Sequence, residues 1–221
     1  MNIGILGTGV VGQTLGRKLL ALGHAVKLGS RTAANDKAAA WAAQAATSRA
    51  SHGTFEDAAR CGELVILATL GTGTVDAVLQ AGPAHLAGKT VIDVTNPLDF
   101  SQGMPPRLFV GHTDSLAEQV QRAAPEAHVV KALNIVNCEE MVNPGALATE
   151  PDMFIAGHDA AAKQQVTELL QTFGWQRITD FGGLEAARFI EPLVLLWVHY
   201  GIKTGGWHHA LQFVQRPAPT A

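Results

Sequence analysis

Short apolar runs alternate with segments of helical period along this chain. Ile3–Leu6, Ala25–Leu28, Leu64–Ala68, Val91–Val94, His128–Ala132, Met153–Ala156 and Gln176–Thr179 carry the Val, Ile and Leu of buried strands. Between the first two, Val11, Leu15, Leu19 and Leu22 recur on one helical face, and Gly23 stands where a left-handed C-terminal residue belongs. A later helix has Asp159 as N-cap, a face of Ala162, Val166, Leu169, Leu170 and Phe173, and Gly174 as its stop. Ser115 with Glu118 predicts a capping box for another helix, which Pro125 ends. From Leu184 to Tyr200 the pattern is nearly apolar all round after Pro192, which predicts a helix buried against the body and against a second subunit. The closing QRPAPTA reads as a frayed tail. This alternation predicts an α/β fold: a doubly wound parallel sheet with a small C-terminal extension ending in that helix.

The first apolar run leads into a G-x-G-x-x-G spacing, Gly7, Gly9 and Gly12, which opens the first helix. Each glycine has a mechanical role in that setting: Gly7 for the tight turn, Gly9 for backbone approach to a diphosphate, Gly12 for close helix packing. The helix start then offers free N–H groups and a positive dipole end to the anion. The expected fold is therefore Rossmann-type, binding a dinucleotide.

NAD would call for an acidic residue at the end of the second strand, ~20 positions after the motif. Nothing acidic occurs before Asp36; the strand runs out into Gly29, Ser30, Arg31 and Thr32, with Lys27 and Lys37 nearby. Two hydroxyls and a guanidinium are a matched set for a phosphate monoester, so NADP is favoured over NAD.

Composition narrows the partners. With 221 residues, 47% apolar, 16% charged and a net charge of -3, the chain lacks the electrostatic footprint of a nucleic-acid binder, and a small-molecule partner is expected. The longest apolar run, Leu193–Val198, falls far short of the ~20 residues that cross a bilayer, so no membrane association is expected. The N-terminal apolar run belongs to the glycine motif and has no basic flank, so no export signal is expected. Cys61 and Cys138 are far apart and outside any C-x-x-C, which fits a reduced, cytoplasmic protein.

Five segments carry a resemblance: GILGTGVVGQTLGRKLLALGHAVKLGSR, GKTVIDVTNPL, VVKALNIVN, DMFIAGHDAAAKQQVTELLQTFGW and GGLEAARFIEPLVLLWVHYG. Together they resemble the NADPH-dependent coenzyme F420 reductase family and its relatives, the NADPH domains of STEAP-type metalloreductases. The resemblance implies a Rossmann core, a small C-terminal part completing the sheet, a homodimer, and hydride exchange between NADP and a flavin-like ring such as F420, FMN or FAD. It implies a phosphate loop at Thr8, Gly9, Val10 and Val11, and 2′-phosphate contacts at Ser30 and Arg31, beside which Thr32 stands. It also implies a nicotinamide border made of Thr69, Leu70, Asn134, Ile135 and Val136, with Asn96 and Pro97 close by. Residues 1–135 would be the NADP-binding part and 136–221 the C-terminal α/β part, the two forming one continuous domain or a pair. The small residues of Leu70-Gly71-Thr72-Gly73-Thr74 predict a flexible loop that leaves a slot open for the acceptor.

Hydride transfer between rings held at reacting distance needs no general acid or base, so no catalytic side chain and no metal ligand are expected. Asn134 would hydrogen-bond a carboxamide or a flavin carbonyl, or else serve its own loop. Asp93 would orient a ligand or bond loop amides. His208 and His209 read as solvated tail residues, and Glu139 with Glu140 as surface charge at a helix start. Trp197, Tyr200 and Trp207 read as core or interface before flavin-stacking groups. A non-catalytic NADP sensor or interaction module is the alternative function.

Overall fold

The computed structural model describes residues 1–216, so residues 217–221 of the expected tail lie outside the described residues. In chain order the elements are β1 (Asn2–Leu6), α1 (Val10–Ala21), β2 (Ala25–Ser30), α2 (Asp36–Gln44), β3 (Ala50–Thr54), α3 (Phe55–Cys61), β4 (Leu64–Leu67) and α4 (Thr74–Ala81). There follow β5 (Thr90–Asp93), the short β6 (Leu98–Asp99) and β7 (Arg107–Leu108), α5 (Leu116–Ala123), β8 (His128–Lys131) and α6 (Cys138–Val142). The chain continues through β9 (Asp152–Gly157), α7 (Ala160–Phe173), β10 (Arg177–Asp180), α8 (Ala187–Ile190) and α9 (Leu193–Thr204).

Eight strands form one sheet in the order β10-β9-β8-β5-β4-β1-β2-β3. The run from β3 to β8 is the doubly wound parallel order, with its switch point between β1 and β4, where ligands of such sheets bind. Two buried clusters cover the sheet: Ile3, Ile5, Leu15, Leu19 and Trp41 belong to one, Leu67, Val78, Leu86 and Val120 to the other. The C-terminal part joins the same sheet through β9, which runs antiparallel to β8. The intervening α6 covers only about 7.5 Å at 1.5 Å per residue, too short to carry the chain back across the sheet. β9 therefore enters from the end at which β8 leaves.

The caps follow the sequence. Gly23 has φ +91, Asp159 accepts from the Ala162 N–H, and Gly174 closes α7 at φ +109. Ser115 caps α5 by accepting from the Glu118 N–H, but the Glu118 carboxylate bonds the Ser115 hydroxyl and Arg188 instead of completing the reciprocal box. β3 is not among the expected strands, because ASHGT has no apolar run: it is an edge strand, mostly half-buried, held by backbone pairing to β2.

The expected final helix is corrected in one respect. Pro192 has no N–H and cannot sit inside a helix, so the segment divides into a 3-10 turn (Leu184–Ala186), α8 and α9. Within the single chain α9 buries one face, at Val194, Val198 and Gly201, while Phe189, Leu196 and Tyr200 are 73%, 57% and 54% exposed. Among the described residues no helix is long and apolar enough to cross a membrane.

Candidate functional site

The glycine turn follows β1. Gly7 takes φ +137, and a Cβ there would stand 2.2 Å from the Ala68 carbonyl oxygen, so close approach to the end of β4 demands glycine. A Cβ on Gly12 would lie 2.5 Å from the Gly7 carbonyl oxygen, which is what brings α1 down onto the turn. Gly9 differs. Its φ of -73 suits any residue, and a Cβ there would meet nothing within 4 Å. The space that it guards lies outside the protein, over the start of α1. Gly9 is the N-cap of α1 with no side-chain cap, and the first turn holds no acidic residue. The N–H groups of Val10, Val11 and Gly12 and the positive helix end are thus open to an anion. Gln13 Nε2 donates to the Thr8 carbonyl at 2.9 Å and fixes the loop.

At the end of β2, Ser30 is buried and its hydroxyl donates to the Thr32 carbonyl at 2.5 Å, while Arg31 and Thr32 are exposed. Asn35 caps α2 by accepting from the Ala38 N–H, so the first carboxylate after the strand, Asp36, belongs to a helix turn and not to the strand end. A cleft of about 860 Å³ joins these parts. It is lined by the glycine turn (Gly7, Thr8, Gly9), the end of β2 (Ser30, Arg31, Thr32) and the loop after β4 (Thr69, Leu70). Phe55, Asp76 and Gln80 line it as well. Sequence reasoning missed them because Phe55 is buried in the core and reads as packing, while Asp76 and Gln80 sit on a helix whose periodicity says nothing of what an exposed position faces.

The loop after β4 departs from expectation. Residues 71–73 form a 3-10 turn leading into α4, Thr74 is buried, and the Thr69 and Thr74 hydroxyls are 2.9 Å apart. Gly71 is buried, and a Cβ there would lie 1.9 Å from the Asn96 carbonyl oxygen. Gly71 and Thr74 thus serve close packing, whereas Thr72 is exposed and Gly73, where a Cβ would meet nothing within 4 Å, lines the cleft with it.

Beyond this loop the chain turns after β5 and β8 meet. Asn96 Nδ2 donates to the Asn134 carbonyl at 2.7 Å, and Asn134 Nδ2 reaches Asn96 Oδ1 at 3.0 Å and the Ile190 carbonyl at 3.3 Å. Asn134 is 3% exposed and its amide donors are engaged within the protein, so Nδ2 serves its own loop and a ligand contact falls to Oδ1. Its Oδ1 has no partner among the described residues. Ile135, Val136 and Pro97 are buried, so only their backbone can border a ligand. None of these residues lines the 860 Å³ cleft; they lie next to it, through Gly71 and Asn96.

Beneath this junction Lys131 is fully buried. Its Nζ lies 3.0 Å from Asp93 Oδ2, 3.0 Å from Glu191 Oε1 and 2.5 Å from the Thr95 carbonyl. Asp93 also accepts from the Thr95 N–H and hydroxyl, and Glu191 from the Leu116 and Ala117 N–H groups at the start of α5. Asp93 therefore orients a loop and a buried lysine. Burial pulls the Lys131 ammonium down, but the two carboxylates outweigh it and hold its pKa above the ordinary value. The signal for this cluster was present as a charged residue inside the strand VVKAL.

Of the histidine pair, His208 is solvent-exposed as expected and His209 is half-buried, but each ring has a protein partner. His208 Nδ1 donates to Glu140 at 2.9 Å, and that hydrogen bond raises the His208 pKa; His209 Nε2 donates to the Trp197 carbonyl at 2.9 Å. Glu140 is buried, not surface charge. Trp197 lies 5.4 Å from Trp207 and 4.9 Å from His209, and Tyr200 lies 4.7 Å from His209, so these aromatics pack on one another. Among the described residues no group of His, Cys, Asp and Glu is arranged to hold a metal ion.

Residues 2–97 match the family model described as NADP oxidoreductase, coenzyme F420-dependent. A solved structure from Arthrobacter sp. FB24, provisionally named an F420-dependent NADP-reductase, superposes with a TM-score of 0.91 at 40% identity, covering 96% of this chain and 99% of that one. The F420-dependent NADP reductase of Methanothermobacter marburgensis is 29% identical over 92% of this chain and 93% of its own length. Metalloreductase STEAP3 of Rattus norvegicus is 28% identical over 88% of this chain, which spans only 36% of that protein.

Proposed function

The chain belongs to the coenzyme F420-dependent NADP oxidoreductase family, and we propose that it exchanges hydride between NADP(H) and a flavin or deazaflavin acceptor such as F420, FMN or FAD. The observation that carries the NADP reading is the cleft that joins an uncapped helix N-terminus to Ser30, Arg31 and Thr32 with no carboxylate at the strand end. The residues fit the cofactor. Gly9 leaves its Cβ position empty, where a diphosphate would pass, and Val10, Val11 and Gly12 offer their N–H groups there.

Thr8 and the first turn of α1 bind the diphosphate, and the exposed Arg31 guanidinium with Thr32 binds the 2′-phosphate, on a turn that the Ser30 hydroxyl holds through the Thr32 carbonyl. Thr69 and Leu70 lead from the cleft toward the nicotinamide end, which the Asn96–Asn134 junction, Pro97, Ile135 and Val136 border through their backbone. When bound, NADP(H) supplies or takes up the hydride. The protein's task is to hold that end still and keep one side open, since orientation carries the rate when no proton has to move through a side chain. Leu70, 63% exposed at the cleft, offers an apolar surface to an acceptor ring.

The deciding experiment is oxidation of NADPH with F420, FMN, FAD and riboflavin offered separately. Turnover with one of them is expected; tight NADP binding with no turnover would instead favour a sensor. The exposed Phe189, Leu196 and Tyr200 support a homodimer formed on α8 and α9, and a mass near 23.3 kDa by light scattering at micromolar concentration would refute it. The free cysteines Cys61 and Cys138 fit a reducing compartment, the cytoplasm.

A further inference from the structure

We propose that Lys131 is a positioning residue: with Asp93 and Glu191 it fixes the two turns that border the nicotinamide end, and so sets the hydride-transfer geometry without touching the cofactor. The inference rests on the NADP reading given above.

A lysine at 0% side-chain exposure between two buried carboxylates is a poor source of stability, because desolvation offsets the attraction and an apolar replacement is often as stable. What it does provide is fixed relative placement. The cluster ties together three segments distant in sequence: the end of β5, the end of β8 and the entry to α9, with the start of α5 bound through Glu191.

One layer further along, the same three segments meet again. Asn96 follows Asp93, Asn134 follows Lys131 and Ile190 precedes Glu191; Asn96, Asn134 and the Ile190 carbonyl form the amide junction. The ion cluster and the amide junction are thus two rungs across the same three strands of chain. Between them Leu133 takes φ +61, a left-handed conformation disfavoured for a branched side chain, with its N–H directed at Met153 Sδ 3.2 Å away. Such a conformation persists only where the surroundings over-determine it, and the rung at Lys131 lies two residues before it. Lys131 also grips the Thr95 carbonyl directly, one residue before Asn96, whose own carbonyl packs on Gly71 in the loop next to the cleft. Loosening the lower rung therefore releases both turns and the loop, while the glycine turn and Ser30–Thr32 stay as they are.

The double variant Asp93→Asn, Lys131→Met tests this. It keeps the cluster's net charge at one negative unit, leaves Glu191 its two α5 amides, and leaves an oxygen for Thr95 to bond. The expected result is a folded protein that binds 2′,5′-ADP within about twofold of the parent, because that fragment uses only the Arg31 end. Bound NADPH should lose nicotinamide fluorescence anisotropy, and kcat should fall about tenfold or more with the cofactor KM within about threefold. A folded variant with parental anisotropy and parental kcat would overturn the proposal. Glu191→Gln, which retains one oxygen, decides the matter if the double variant does not fold: it should move anisotropy and kcat the same way, and unchanged values would reject the role. A parent that binds 2′,5′-ADP but reduces no offered acceptor would fail the acceptor reading alone, and anisotropy would still judge Lys131. A parent that binds neither 2′,5′-ADP nor NADPH would remove the premise and the proposal together.

Discussion

Replacing Arg31 with alanine isolates the charge that distinguishes NADPH from NADH. Arg31 is exposed and lines the cleft beside Ser30 and Thr32, and no carboxylate occupies the end of β2 to repel a phosphate. A hydrogen bond to a charged group contributes about 1.5–3 kcal/mol, and solvent screening at an exposed rim places this one near the lower end. About 1.5 kcal/mol corresponds to ~10-fold weaker NADPH binding in Arg31→Ala. NADH lacks the 2′-phosphate and should bind the variant as it binds the parent. Arg31→Lys should fall between, since it keeps the charge and loses the planar fork. The assay is a fluorescence titration of both nucleotides at low and high salt. The parent's preference for NADPH should shrink as salt rises, because the screening length falls from about 10 Å at 0.1 M to about 3 Å at 1 M, while Arg31→Ala should show little salt dependence. A parent that binds NADH and NADPH equally, or an Arg31→Ala protein that loses both alike, would refute the reasoning.

The glycines separate ligand space from packing space. Gly9→Ala adds a methyl that meets no protein atom within 4 Å, so its melting temperature should change little while NADPH affinity falls by about tenfold through lost diphosphate contacts. Gly12→Ala places its methyl 2.5 Å from the Gly7 carbonyl and should cost about 1–3 kcal/mol of stability, seen by thermal melting with or without cofactor. Similar effects of the two on stability would contradict the division. The bond from His208 to Glu140 raises the His208 pKa above 6.5, so its contribution is fully present below that value and is lost as pH climbs through the raised pKa. The melting difference between the parent and His208→Gln should therefore be larger at pH 6 than at pH 9; a difference that grows with pH would reverse the assignment.

What the sequence disclosed depended on whether the cause was local. All seven runs lie on strands of the sheet, six because a strand covered on both faces is largely apolar, while Gln176–Thr179 falls on β10, a half-buried to exposed edge strand. β3 escaped because an edge strand is held by backbone pairing to β2, which leaves no trace in the side chains of ASHGT. The break before α9 was legible at Pro192 and was read through, since the apolar pattern on both sides outweighed one residue. The antiparallel entry of β9 could not be read at all: strand direction depends on where the connection between β8 and β9 runs, and hydrophobic pattern carries no sense of direction.

At the candidate site the same distinction holds. Gly7, Gly9 and Gly12 could be given separate roles because each role is a constraint on a glycine's own backbone and immediate neighbours. Ser30, Arg31 and Thr32 were readable from an absence, the missing carboxylate at the end of β2. The Lys131 cluster was not, although half of its signal stood in view as a lysine in an apolar strand. A buried ammonium demands counter-charges but does not say from where, and Glu191 before a proline looks like any solvated residue until α5 and β8 close around it. Asn134 admits both a ligand contact and a loop role in the sequence. An amide at the carboxyl end of a strand is correctly placed for a ligand, yet Asn96 and Ile190 meet its donors first. Position along a strand predicts that a side chain comes near the site; only the partners brought by distant segments decide whether it faces the ligand or supports the wall behind it.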